Sequence, residues 1–226
     1  MSKKHVFVIV SGKKRHGKNY FAKRVKVALR KEKISVTEDA FANPMKRFCA
    51  DVFGIPMEDM ETETGKAKNT HLRWCDINQG IAVAFGKSKH TPCTDFITIR
   101  ELLQVLGTEV FREGFYGPIW AEAPFRKQHT KRMISDESVE DIHMDVVLIT
   151  DCRFPNEVEE AKKNNAILIR VIRNCKNEDR HISETALDDY KWEHDETVLN
   201  HMNDECFDDY IEEELMPKIK GQLYGH

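Results

Sequence analysis

The rhythm of apolar and polar positions changes along the chain, and each change marks an element. His5-Val6-Phe7-Val8-Ile9-Val10 is a continuous apolar run, as expected of a strand buried on both faces of a parallel sheet. From Tyr20 to Lys31 the rhythm turns helical, with Phe21, Val25 and Leu29 on one face and Ala22 and Ala28 near it. A second strand is predicted from Ile34 to Thr37, ending near Ala40. Asn43-Pro44 then marks a turn, and Met45 to Phe53 reads as a short helix closed by Gly54. Met57 to Thr94 is polar, lacks a clear period and carries Gly65, Gly80, Gly86 and Pro92, so it reads as an insertion rather than as core. Thr98 to Phe111 is predicted helical, with Leu102, Leu103, Val105, Leu106 and Val110 apolar, and Pro118 to Phe125 as a short helix. Arg126 to His143 reads as a charged connector. Two further apolar runs, Val146 to Ile149 and Ala166 to Ile172, flank a helix from about Asn156 to Lys163. A short strand at Thr197 to Leu199 and a helix from about Asp204 to Ile219 close the alternation. The pattern predicts an α/β fold, a three-layer sandwich with a parallel sheet, in a single domain over residues 1–226.

Composition narrows this further. With 226 residues and 40% hydrophobic content the chain can bury one substantial core, or a core plus a small lid. A net charge of −3 gives no general attraction to nucleic acid or to an anionic membrane, so phosphate recognition has to come from local basic clusters. No apolar stretch approaches the roughly 20 residues that span a bilayer, and Lys3 and Lys4 lead straight into a strand pattern; the expectation is a cytoplasmic protein. The six cysteines contain no C-x-x-C pair, the usage of reduced thiols, and His71, Cys75 and Cys93 lack a fourth ligand at a zinc-like spacing.

The densest chemistry lies between the first strand and the first helix, in Gly12-Lys13-Lys14-Arg15-His16-Gly17-Lys18-Asn19, with Tyr20 following. A phosphate-binding turn needs few side chains, backbone N–H groups aimed at phosphate oxygens, and a helix N-terminus behind it. Gly12 and Gly17 meet that need. Lys18 is placed to reach the β- and γ-phosphates of a nucleoside triphosphate, and Lys13, Lys14 and Arg15 add positive potential. The usual pattern has Ser or Thr after the lysine as a Mg²⁺ ligand. Here Asn19 stands there, and its amide oxygen can serve directly or through water.

Farther along, Arg100, Gln104 and Thr108 recur every fourth residue and share a helix face away from Leu102, Leu103 and Leu106. Arg100 can clamp a phosphate bidentately, Gln104 can pair with a base edge, and Gly107 permits close approach of a backbone; an ordinary solvated face is the alternative. Asp151 and Arg153 leave a strand at its carboxyl end, where ligands bind in such sheets. Asp151 can hold Mg²⁺ or orient a sugar, Arg153 can neutralise a transferring phosphoryl group, or the two can simply pair. Glu157 can accept from a sugar hydroxyl or cap the helix it begins.

Together these segments resemble the P-loop nucleoside monophosphate kinases, and among them the phage deoxynucleoside monophosphate kinases. The resemblance rests on Ser11 to Asn19, on Phe41-Ala42-Asn43-Pro44-Met45-Lys46, on Arg100 to Glu109 with Trp120 beyond, and on Thr150 to Glu157. Arg173 to Glu184, with His181-Ile182-Ser183-Glu184, is similar to the family's lid. The resemblance implies a P-loop kinase fold with a lid near 173–185, an acceptor-side insertion near 57–97, and ATP and Mg²⁺ as cofactors. It implies transfer from ATP to a deoxynucleoside monophosphate, whose phosphate Arg100 and Arg153 clamp. It places Lys46 at the acceptor nucleotide, Trp120 in the wall of the base pocket, and lid cations among Arg173, Lys176, Arg180 and His181 on the triphosphate. Lys66 is a second candidate phosphate contact; for Lys46 and Lys66 a plain surface role is the alternative, and for Trp120 a core one. The expected partners are small molecules, with neither nucleic acid nor membrane, and a homodimer is left open. Two rival readings stand beside this one: a phosphomevalonate kinase-like enzyme, and a module that binds ATP without transferring phosphate.

Overall fold

A computed structural model describes residues 5–87, 92–127, 129–134, 139–173, 185–192, 196–199 and 205–225. In chain order the elements are β1 (Val6–Ser11), α1 (Lys18–Lys31), β2 (Val36–Asp39), α2 (Asn43–Phe53), α3 (Glu63–Lys66), β3 (Asn69–Arg73), α4 (Gln79–Ala84), β4 (Phe96–Thr98) and α5 (Ile99–Gln104). They continue with α6 (Ile119–Arg126), β5 (Thr130–Ile134), β6 (Val139–His143), β7 (Val146–Cys152), α7 (Pro155–Lys163), β8 (Ile167–Ile172) and β9 (Glu196–Leu199). Helices Glu205–Tyr210 and Met216–Tyr224 follow, joined by a π-helical turn at Ile211–Leu215. The chain forms two compact units, one from Met1–Phe41 with Ala121–His226, the other from Ala42–Trp120.

In the first unit five strands form one parallel sheet in the order β2-β7-β1-β8-β9. All six residues of β1 are buried because it lies between β7 and β8, which is why its sequence is a continuous apolar run. Val6, Val8, Val10, Leu148 and Ile169 pack with Phe21, Val25 and Leu29 of α1 and with Phe207, Ile211, Leu215 and Ile219 near the C-terminus. On the opposite face Phe7, Ile9, Val147, Ile149 and Leu168 pack with Val158 and Ala161 of α7, Phe41 and Leu187. Helices thus cover both faces, and the three-layer parallel α/β fold expected from the sequence is the one observed. The second strand starts two residues later than its apolar run suggested, at Val36. Before it, Lys33 adopts a left-handed turn (φ 58°), and Ser35 is clipped to Asp145 through its N–H and hydroxyl, 2.9 and 2.6 Å from Oδ2.

The expected connector 126–143 holds a hairpin instead, with Thr130 opposite His143, Arg132 opposite Asp141 and Ile134 opposite Val139. Neither Thr130-Lys131-Arg132-Met133-Ile134 nor Val139-Glu140-Asp141-Ile142-His143 alternates apolar with polar residues, so no period marked the strands. At its base lies a buried polar cluster. The His129 ring is buried, with Nε2 donating to Pro124 O at 2.8 Å and Nδ1 3.6 Å from Asp39 Oδ2. Lys127 reaches the same carboxylate at 3.0 Å. His5 donates from Nδ1 to Met144 O at 2.7 Å and accepts the His129 backbone N–H on Nε2 at 3.2 Å, which fixes its neutral tautomer.

The second unit has its own core of Cys49, Ile55, Met60, Trp74, Ala82, Ile97, Ile99, Leu102, Val105 and Leu106. The stretch Met57 to Thr94, read as an insertion rather than core, therefore supplies Met60, Trp74 and Ala82, each from a different short element. Helix α5 opens with a capping box, Glu101 N–H donating to Thr98 Oγ1 (3.2 Å) and Thr98 N–H to Glu101 Oε2 (2.8 Å). It then widens into a π-helix over Val105–Glu113. Among the described residues no helix is long and apolar enough to cross a membrane.

Burial lowers the His129 pKa from its ordinary value, against the opposing pull of Asp39 and the Pro124 carbonyl. The folded state then binds fewer protons than the unfolded one below pH ~6.5, so the contribution of His129 to stability is complete above that pH and is lost as pH falls below it. Urea midpoints at pH 7.5 and 5.5 should show this drop in wild type and a shallower one in His129→Gln; identical slopes would contradict the assignment.

Candidate active site

The loop after β1 is shaped by contacts that only certain residues allow. Gly12 has φ 148°, and a Cβ there would lie 2.5 Å from the Val171 carbonyl oxygen of β8, so a side chain is excluded by both strain and space. Arg15 takes a left-handed φ of 67° without being glycine, and Gly17, φ 95°, caps the start of α1. His16 is buried and pins the loop across the end of β8: its Nδ1 is 3.3 Å from Val171 O and 3.4 Å from Arg173 N. Helix α1 has no acidic residue in its first turn, so its N-terminal N–H groups keep their positive field. Lys18 folds back over the loop, donating to the carbonyls of Gly12 and, at 2.9 Å, Lys13. Lys13 itself pairs with Asp188 at 2.7 Å. Lys14, Arg15, Asn19 and Tyr20 stand exposed around it.

Beside the loop, β7 carries a bulge. Ile9 pairs with Ile149 but Ser11 pairs with Cys152, so β7 takes three steps where β1 takes two, across Thr150 and Asp151. Ser11 Oγ closes the irregularity by donating to Cys152 O at 3.1 Å. Asp151 Oδ1 accepts the Phe41 N–H at 2.9 Å, tying the end of β7 to the chain leaving β2. Glu157 is 3% exposed, and one of its carboxylate oxygens accepts from Arg153 N–H (2.7 Å) and Phe154 N–H (3.1 Å). Of its two sequence readings, this geometry is that of the helix cap.

In the second unit Lys46, Lys66 and Arg100 gather within reach of one another's charge. The Lys66 pKa is lowered first by burial and then by the ammonium of Lys46, with Arg100 adding to the effect and Glu63 and Glu61 opposing it. Lys46 pairs with Glu61 at 2.7 Å and Arg100 with Glu63 at 3.0 Å. Glu61 and Glu63 were not singled out from sequence; their signal is the acidic run Glu58-Asp59-Met60-Glu61-Thr62-Glu63, which reads as a solvated face. Gln104 ends α5 and Thr108 lies in the π-helix, whose i→i+5 bonds alter the fourfold spacing inferred for that face. At Gly107 the close neighbour is a side chain, Met45, whose Sδ would lie 2.9 Å from a Cβ. Trp120 is 8% exposed, donates from Nε1 to Gly107 O at 3.0 Å and meets Phe111 edge-on at 5.2 Å between ring centres. These contacts are those of its core reading, made within its own unit.

Arg173 follows β8 directly at the loop, while Lys176, Arg180 and His181 lie outside the described residues. Among the described residues no three His, Cys, Asp or Glu side chains form a metal-holding group. Asn19 and Asp151 nonetheless offer oxygen donors of the kind Mg²⁺ takes, an ion that draws the rest of its shell from water and phosphates.

A family model described as Deoxynucleotide monophosphate kinase matches residues 78–211, more than half of the chain. A curated protein, the deoxynucleoside-5'-monophosphate kinase of Escherichia phage T5, is 33% identical over 82 residues. That match takes in 34% of this chain and spans 28% of the relative's length. The Gly12 to Asn19 loop precedes the family match, so its interpretation rests on its own geometry.

Two substitutions separate loop from cap. Gly12→Ala should abolish nucleotide binding in a titration, because the added Cβ drives the loop off β8; retained affinity would show that the loop is not the binding element. Glu157→Ala should cost about 1–3 kcal/mol of stability by leaving backbone N–H groups unpartnered, whereas Glu157→Gln, still an acceptor, should recover most of it. A Glu157→Gln variant with normal melting temperature but a lost reaction would point back to a sugar contact.

Proposed function

We propose, from the premise that the chain belongs to the deoxynucleotide monophosphate kinase family, that it transfers the γ-phosphoryl group of ATP to a deoxynucleoside monophosphate. The products are ADP and the deoxynucleoside diphosphate. The observation that carries this reading is the strained loop Gly12–Gly17 between a fully buried strand and a helix start free of acidic residues, with Lys18 folded over it.

In this reading the triphosphate displaces the internal contacts of Lys18, whose ammonium exchanges the carbonyls of Gly12 and Lys13 for β- and γ-phosphate oxygens. Backbone N–H groups of the loop and the first turn of α1 receive the remaining phosphate oxygens. Asn19 and Asp151 are the side chains that would hold Mg²⁺, which would offset phosphate charge when bound. Arg153 offsets the charge that develops on the transferring group, and Arg173, which follows β8 beside the loop, adds positive charge for the triphosphate. Lys46, Lys66 and Arg100 bind the acceptor phosphate and Gln104 reads the base edge, with Thr108 and Gly107 on the same helical stretch. No side-chain base is needed, because the acceptor's phosphate oxygen is already ionised near neutral pH, its second pKa being about 6. Positioning and electrostatic stabilisation supply the acceleration. Such an enzyme works on free nucleotides in the cytoplasm, with small molecules as its partners.

Lys18→Ala should keep the fold and lose about 3 kcal/mol of transition-state stabilisation, some hundredfold in rate. Arg100→Ala should raise the acceptor KM with ATP binding unchanged, by the roughly 1.5–3 kcal/mol of a hydrogen bond to a charged group. Both are read by ADP release on a panel of deoxynucleoside monophosphates with ATP, where dTMP and dGMP are the expected acceptors. Release with phosphomevalonate alone would move the assignment to another small-molecule kinase, and release with no acceptor at all would leave a nucleotide-binding module.

A further inference from the structure

The second unit holds three cations and two carboxylates in one group, and the two sets are not equally fixed. The Lys46 side chain is 12% exposed while its partner Glu61 is 54% exposed. Arg100 is 45% exposed and its partner Glu63 64%. On each pair the acid is the more solvated end, so it is the end that leaves at least cost. The acids are also delivered together. Thr62, between them in sequence, caps α3 by accepting the Gly65 N–H at 3.0 Å. Gly65 in turn lies so close to the preceding turn that a Cβ would sit 2.4 Å from the Asp59 carbonyl oxygen. That close seating holds Glu61 and Glu63 on either side of one cap residue, each against a different cation.

The charges balance in a telling way. Lys46, Lys66 and Arg100 carry three positive charges, Glu61 and Glu63 two negative ones. A phosphate monoester near neutral pH carries close to two as well. We propose that Glu61 and Glu63 are internal counter-anions: they hold the phosphate-binding ends of Lys46 and Arg100 in the empty protein, and a dianionic phosphate replaces both with no change in the net charge of the group. This deepens the acceptor assignment made above and rests on it. The two acids are positioning residues that set acceptor affinity. An uncharged nucleoside cannot displace them without leaving cations and acids unpaired, which confines the site to doubly charged ligands.

The test replaces each acid by its isosteric amide. Exposed ion pairs are individually weak, so Glu61→Gln with Glu63→Gln should tighten phosphate binding about three- to tenfold. The full-length protein is titrated with inorganic phosphate and followed by the NMR signal of the Arg100 Nε–H, which reports this cluster rather than the loop at Gly12. The double variant should bind phosphate more tightly and lose affinity more steeply with salt, because its site carries more net positive charge. In turnover with ATP and dTMP or dGMP its acceptor KM should fall by the same factor, with kcat and the ATP KM unmoved. Unchanged or weakened phosphate affinity at Arg100 overturns the proposal, as does a raised acceptor KM, which would make the acids direct substrate contacts. Tighter phosphate binding without turnover of any deoxynucleoside monophosphate would uphold the counter-anion role while removing the assigned acceptor.

Discussion

The first unit turns on a contact between two stretches of main chain. Gly12 lies against the Val171 carbonyl with no room for a methyl group, and that closeness decides where the loop sits above the sheet. The contact exists because β1 and β8 are parallel neighbours, in register from Val8↔Ile167 to Ser11↔Arg170, so the two chains leave the sheet side by side. His16 then anchors the loop at the same strand end, its single Nδ1 donating to the Val171 carbonyl in one tautomer and accepting the Arg173 N–H in the other, and the left-handed Arg15 and Gly17 complete the turn into α1. The strain in this segment is held by the buried sheet beneath it, whose strands offer the loop no alternative path.

A second regularity is that cations suited to phosphate hold other groups meanwhile. Lys18 rests on loop carbonyls, Lys13 on Asp188, Lys46 on Glu61 and Arg100 on Glu63. An unpaired cation gathered with others would repel them and weaken the fold around it; a weak, solvated partner removes that cost and is readily exchanged. The bulge at Thr150 and Asp151 serves the same end by a different route, since it gives Asp151 a backbone partner at Phe41 while keeping it next to the loop.

The sheet was legible in the sequence because strands buried on both faces must be apolar without interruption, and β1, β7 and β8 are. The loop was legible because its two glycines and lysine have little other reason to fall between a strand and a helix. The second unit was not. Its core takes Met60, Trp74, Ala82 and Ile97 from separate short elements, so no window of the sequence contains a period. The hairpin escaped because neither of its strands alternates apolar with polar residues. Lys46, Lys66 and Arg100 were each visible as candidates, but their association with Glu61 and Glu63 is a product of folding. Trp120 carried no positional signal in the sequence, a lone aromatic in a short helix, and only the structure shows its hydrogen bond to the Gly107 carbonyl.

The strand order has a consequence for how the chain comes to be folded at all. β1 is first in sequence, yet both its neighbours, β7 and β8, begin at Val146 and Ile167, and β2 also pairs with β7. As the polypeptide leaves the ribosome, this apolar strand therefore has nothing to pair with until β7 emerges, after the whole of Ala42–Trp120. Ala42–Trp120, by contrast, is one uninterrupted stretch with its own core and can condense during that interval. The sheet, closed only by contacts distant in sequence, is the slow and aggregation-exposed part of assembly. The first strand, which waits longest for its partners, is the segment a chaperone would need to shield.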